Sequence, residues 1–226
     1  ELKLYLKQAG FWIGILLFCA LASLITTQRG SAFLYANSSY AITQTLLFIS
    51  PNIIFLVCAL ATPVLLRDSQ YKTESMIFTT PLDKFHYMMS RFLGLFLAAL
   101  LVMFAMLLAM IVTSFFLDAK QIGPFRPHYY LSSFAVFIMP SVLLCTSIIF
   151  ATAIFTKNML AIYVAAIVVY VLYVIASVLG NSPLLARSSP LTSGNYGFSA
   201  LLEPYGLIAY FEQSAYWVNA ERNQME

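Results

Sequence analysis

Residues Arg67–Gly94 read RDSQYKTESMIFTTPLDKFHYMMSRFLG, a polar island between two long apolar runs. Arg67, Lys72, Lys84 and Arg91 are four of the twelve Lys and Arg in the chain. Positive charge gathered in a short connection between hydrophobic segments marks the cytoplasmic side, because carrying it across the bilayer is unfavourable. Inside the island, DSQYKTESMIF has no Pro or Gly and places Tyr71, Ser75 and Phe78 at helical spacing, which predicts a short surface helix. Thr80-Pro81 ends it, since the residue before proline is pushed out of the α region. Asp83 is placed to cap the helix that follows.

Working outward, the composition of the 226 residues is 61% hydrophobic and 9% charged, far from the roughly 25% charged residues of a soluble domain. Several runs reach the ~20 apolar residues that cross the hydrocarbon core as a helix. The apolar-polar alternation of a membrane barrel strand is absent. The expected fold class is therefore an all-α polytopic membrane protein. Five spans are read at 11–28, 41–66, 87–117, 129–155 and 159–179. Residues 68–84 form the cytoplasmic helix and loop, and 181–226 an extracytoplasmic aromatic segment.

Residues 1–9 put Leu2, Tyr5, Leu6 and Ala9 on one face and Lys3 and Lys7 on another, which suits either a helix lying in the membrane interface or an extension of the first span. Gly10 and Gly14 form a small-xxx-small pair, either a close-packing surface or a coincidence of spacing. Pro51, Pro63 and Pro140 fall inside spans and predict bends, with Pro51 and Pro63 readable as hinges or as static kinks. Gly94, Ala98, Ala105 and Ala109 share a narrow stripe of the long third span and read as a helix-packing face. Met103, Met106 and Met110 read as packing residues. Tyr163, Tyr170 and Tyr173 line one side of the fifth span, facing either a cavity or a neighbouring helix.

Segments assigned inside carry Lys3, Lys7, Arg67, Lys72, Lys84, Arg91 and Lys157; those outside carry Arg29, Lys120, Arg126, Arg187 and Arg222. The excess, seven against five, favours a cytoplasmic N-terminus. No basic cluster outside the island is interleaved with aromatics, so nucleic acid is not an expected partner. Cys19, Cys58 and Cys145 lie in apolar runs without metal-binding spacing, and no metal or cofactor site is expected. Only His86 and His128 are present, with no HExxH and no acidic residue deep in a span, so an intramembrane enzyme has no candidate catalytic set.

The island resembles the cytoplasmic loop of the ABC-2 type (type V) ABC exporter permeases. There the second span ends in an Arg-acid pair, a coupling helix with a Thr-x-Glu-like core follows, and a Thr-Pro step leads to a basic residue and Gly in the third span. The matching residues are Arg67 and Asp68, Thr73, Thr80 and Pro81, then Arg91 and Gly94. Lys72 departs from the pattern, since many relatives have Gly there. The alternative is an ordinary amphipathic loop of an unrelated polytopic protein. The tail LLEPYGLIAYFEQSAYWVNAERN is similar to the segment before the last span in the subgroup often fused to, or encoded with, an M1-type zinc aminopeptidase-like domain. It matches at Glu203-Pro204-Tyr205-Gly206, Tyr216-Trp217 and Glu221-Arg222-Asn223, with Glu203 and Tyr205 where many relatives have Asp and Phe.

The resemblance implies a membrane-spanning permease subunit of an ATP-binding cassette exporter in the inner membrane of a bacterium. It would not itself be catalytic, and it lacks the GxxxxGK[ST] phosphate loop, so ATP and Mg would bind a partner ABC ATPase subunit. Arg67, Asp68, Tyr71, Lys72, Thr73, Glu74, Phe78, Thr80 and Pro81 would form the ATPase-coupling surface. Further implied partners are a second permease copy or paralogue, membrane lipid, and an aminopeptidase-like domain C-terminal to residue 226. A sixth span is expected beyond residue 226, which makes the chain part of a longer protein. A non-transport membrane scaffold or mechanotransmitter acting on an envelope partner is the alternative function.

Overall fold

The computed structural model describes residues 2–29, 34–67, 84–179, 205–214 and 217–224. Every regular element among them is a helix: α1 (Leu2–Leu6), α2 (Ala9–Arg29), α3 (Ser39–Ile49), α4 (Ile53–Leu65), α5 (Lys84–Phe115), α6 (Pro127–Ser133), α7 (Met139–Thr156), α8 (Met159–Leu179), α9 (Leu207–Ser214) and α10 (Asn219–Gln224). Four continuous helical stretches are long and apolar enough to cross a membrane, Ala9–Gln28, Ser39–Leu65, Phe85–Phe115 and Pro127–Thr156, and Met159–Ile175 is a shorter apolar helix. The chain is an all-helical polytopic membrane protein. The helices run up and down between two ends. The proximal end carries α1, Arg67, the start of α5 and the α7–α8 turn. The distal end carries the 34–38 and 116–126 connections.

Ser39–Leu65 is the axis of the bundle: 78% of its apolar window is buried against 28% for Ala9–Gln28. It packs on α2, α5, α7 and α8, while α2 and α5 make the broadest helix pair. The core fills with Leu46, Ile53, Val57 and Leu60 from the axis, Val102, Met103 and Met106 from α5, Val142 and Ile149 from α7, and Ile162 and Ala166 from α8. Methionine suits this work because its unbranched chain fills irregular gaps. Gly10 and Gly14 of α2 face this core. A Cβ on Gly14 would lie 2.7 Å from Leu56 Cδ1, and one on Gly10 would lie 3.9 Å from the Ala59 carbonyl oxygen. That carbonyl is the acceptor that Pro63, lacking an N–H, leaves without its helical donor.

The other internal prolines deform their helices in two different ways. At Pro51 the axis tightens into a 3₁₀ turn, Ser50–Asn52, and the carbonyl of Leu47, deprived of its donor, accepts from Ser50 Oγ at 2.8 Å. At Pro140 the helix instead widens into a π turn over Phe134–Ile138, with Met139 N–H donating to the Phe134 carbonyl, which makes room for a proline ring that would strike the carbonyl four residues back. Elsewhere in the spans Ser and Thr hydroxyls satisfy themselves on the preceding turn, as Thr26 does on Ala22 at 2.7 Å and Thr146 on Val142 at 2.7 Å, the arrangement that apolar surroundings favour.

The connections carry their own chemistry. Ser38 caps α3 by accepting from Ala41 N–H at 3.2 Å. Lys157 stops α7 in a left-handed conformation, φ 48°, and Asn158 Oδ1 accepts from Leu160 N–H at 3.0 Å to open α8. At the distal end the Asn37 side-chain amide pairs with Gly123 twice, donating to its carbonyl and accepting from its N–H, both at 2.7 Å. This joins the first distal connection to the second.

Candidate functional site

Two places gather polar groups. At the proximal end, α4 finishes at Leu65 with Arg67 exposed, and α5 begins at Lys84. The Arg91 guanidinium reaches from the second turn of α5 back to the Leu65 carbonyl at 3.4 Å and lies 4.6 Å over the Tyr87 ring. A helix C-terminus leaves its last carbonyls without intrahelical donors and favours a cation there. Arg91 therefore ties α5, two turns in from its start, to the C-terminal end of α4. Asp68, Tyr71, Lys72, Thr73, Glu74, Phe78, Thr80 and Pro81 lie outside the described residues, as does the predicted coupling helix they belong to.

The small-residue stripe of α5 lies within its core face at Gly94 and Ala98 and along the edge of that face at Ala105 and Ala109. Gly94 and Ala98 are buried, and Ala105 and Ala109 are half-buried. The centre of that face is larger: Leu95, Ala99, Val102, Met103, Met106 and Met110 are all essentially inaccessible.

The second place is the distal half of the bundle. Tyr40, Thr43, Gln44 and Thr45 of α3 are all buried. Thr43 and Ser133 share a hydrogen bond between hydroxyls at 2.7 Å, and Gln44 Nε2 donates to the Tyr40 hydroxyl at 3.2 Å. Over this polar seam lies the C-terminal segment. Tyr205 sits in the bundle with its hydroxyl 3.6 Å from Cys145 Sγ and its ring edge-on to Tyr173 at 5.1 Å. Gly206 turns the chain with φ 76°, and a Cβ there would meet the Phe137 ring at 3.5 Å. From this turn α9 brings Leu207 and Tyr210 against Tyr40 and Leu47. Tyr210 stacks on Tyr40 at 6.0 Å and meets Phe137 edge-on at 5.8 Å.

The segment is tied down at its far end. Arg222 lies 5.0 Å over the Tyr40 ring, Asn223 Oδ1 accepts from Tyr35 N–H at 3.0 Å, and Glu221 accepts from Val218 N–H at 2.9 Å to cap α10. Burial pushes the Tyr210 hydroxyl up to about 12; the neighbouring Thr43 hydroxyl and the Arg222 charge pull the other way and offset only part of it. The Tyr210 oxygen is buried without a well-formed hydrogen bond among the described residues.

The sequence reading put the aromatic band at the membrane–water interface; in the structure Trp217 packs near Tyr40 close to the distal end, but Tyr205 reaches the level of Cys145. At the α-helical rise, Cys145 stands roughly 27 Å along its helix from Pro127 and roughly 17 Å from Thr156. The seam of Thr43, Gln44 and Ser133 was not singled out from the sequence. Its signal was the polar triplet Thr43-Gln44-Thr45 inside an otherwise apolar span.

Cys58 and Cys145 are buried, Cys19 is partly so, and none is paired. Among the described residues no group of three His, Cys, Asp or Glu is placed to hold a metal ion. Compared with known proteins, the chain matches no family model, no curated protein and no solved structure.

Proposed function

We propose that this chain is the membrane-spanning permease subunit of an ATP-binding cassette exporter of the ABC-2 type, driven by a separate ATPase that meets the island between the second and third long helices. The observation that carries the reading is the Arg91–Leu65 tie at 3.4 Å. It links α5, two turns in, to the C-terminal end of the axis, so a partner that moves residues 68–83 would have a path into the bundle. This supports a coupling role for Asp68, Tyr71, Lys72, Thr73, Glu74, Phe78, Thr80 and Pro81 beside Arg67, with the resemblance of the island supplying the kind of partner. A second permease copy or paralogue completes the transporter, since paired ATPases need two membrane halves. On this reading the N-terminus is cytoplasmic, the proximal end faces the ATPase, and ATP and Mg are held by that subunit.

The test is copurification of the tagged natural full-length protein from its own membrane, with and without Thr73→Trp and Glu74→Lys. An ATPase subunit retained by the unchanged protein and lost from the variants, at equal membrane levels, is the expected result. Absence of any ATPase from both would remove the exporter reading and favour a scaffold acting on an envelope partner.

A further inference from the structure

We propose that Lys3, Lys7 and Trp12, with the open groove of α2 that starts beside them, bind an anionic phospholipid of the leaflet at the proximal end. The inference goes beyond the exporter reading and needs no ATPase. Its first support is the placement of the two lysines. Lys3 and Lys7 are exposed at a spacing of one helical turn, while Tyr5 between them is fully buried in the core. At 3.6 residues per turn this sets both lysines on the side opposite Tyr5. Because α1 packs on α5, α2 and α4, the pair holds a fixed place on the bundle. Neither lysine has a partner among the described residues, and the described helix ends gathered there include no Asp or Glu.

The surroundings of the pair are amphiphilic. Leu4, Leu6 and Trp12 are all exposed, and the Trp12 indole N–H donates to the Leu6 carbonyl at 3.1 Å, which joins the end of α1 to the start of α2. Indole rings settle at headgroup level, and lysine stems lie along apolar surface while the ammonium stays in water. An acidic protein surface would match the charges and leave these apolar side chains unmatched; a phospholipid matches both. The apolar part continues downward. One residue on from Trp12, the groove is lined by Ile13, Leu16, Leu17, Ala20, Leu21 and Leu24, on the least buried of the four membrane-length helices described. Ala20 leaves room between its larger neighbours. From Ile13 to Leu24 is about 16 Å at the helical rise, half of the ~30 Å hydrocarbon core. The groove therefore runs the depth of one leaflet, and a lipid whose phosphate meets the lysines can lay an acyl chain along it.

The experiment reconstitutes the full chain in phosphatidylcholine vesicles and titrates in either phosphatidylglycerol or phosphatidylcholine brominated on the acyl chains, which quenches indole fluorescence on contact. The Trp12 signal is the difference from Trp12→Phe. Brominated phosphatidylglycerol should half-quench it at a mole fraction about tenfold below that of brominated phosphatidylcholine, because each lysine near anionic headgroups is worth about fivefold. Lys3→Gln/Lys7→Gln, at exposed positions, should remove that preference. Ala20→Phe, which fills the groove and keeps the lysines, should raise the phosphatidylglycerol fraction required. Equal quenching by the two lipids in the unchanged protein, a preference that survives the double lysine variant, or indifference to Ala20→Phe overturns the proposal. Protection of Trp12 from both lipids also overturns it, and assigns this face to a second copy of the chain.

Discussion

Gly10 and Gly14, four residues apart on α2, meet different neighbours. A side chain at Gly14 runs into Leu56 at 2.7 Å, while one at Gly10 finds ordinary contact at 3.9 Å. Gly14→Val should therefore lower the thermal stability of the detergent-solubilised protein more than Gly10→Val does, because only at Gly14 must the tip of Leu56 give way. Equal effects would mean that the two helices do not approach at Gly14. Tyr210 makes the opposite case. Its hydroxyl is buried without a well-formed bond, so Tyr210→Phe should leave stability unchanged or raise it. Because burial penalises the phenolate, the phenol leaves stability flat with pH below the ordinary tyrosine range and lowers it as pH climbs from about 10 toward the folded value of about 12. Alkaline melting curves of the Phe variant should lack this decline. Neither neighbour was visible in the sequence: the glycine spacing allowed packing or coincidence, and nothing in a lone tyrosine tells whether its hydroxyl will find a partner.

The long helices were legible at the scale of elements, because in lipid an apolar run of that length has no other way to satisfy its backbone. How each responds to proline was not. Pro51 tightens one helix and Pro140 widens another, and the choice is set by which neighbours can accept the bend. The Ser50–Leu47 bond gives this a test. Ser50→Ala should cost about 0.5–1.5 kcal/mol by leaving the Leu47 carbonyl without a donor. In a Pro51→Ala background the same change should cost clearly less, because an alanine N–H at position 51 can serve that carbonyl. Additive losses would show that the hydroxyl is not replacing the missing N–H. The distal connections offer a second check. Asn37→Ala removes both partners of Gly123 and should destabilise by about 1–3 kcal/mol, with Asn37→Asp, which keeps an acceptor, falling between.

For the whole molecule, the membrane class followed from composition alone, whereas the path of the C-terminal segment did not. Its aromatic residues alternate with Glu, Gln and Asn, a composition that suits an interface; the packing of Tyr205 on Cys145 and Tyr173, and of Leu207 and Tyr210 on Tyr40 and Leu47, draws it into the bundle. The coupling reading belongs to this scale too, because it joins the island to the axis and the axis to the distal seam. It is tested most directly by placing a photo-crosslinking amino acid at Tyr71 in the full-length protein in intact cells, with a second probe at Phe116, exposed at the distal end. The account predicts an adduct with an ABC ATPase subunit at position 71 and none at 116. No such adduct at 71, or the same adduct at both positions, would contradict it.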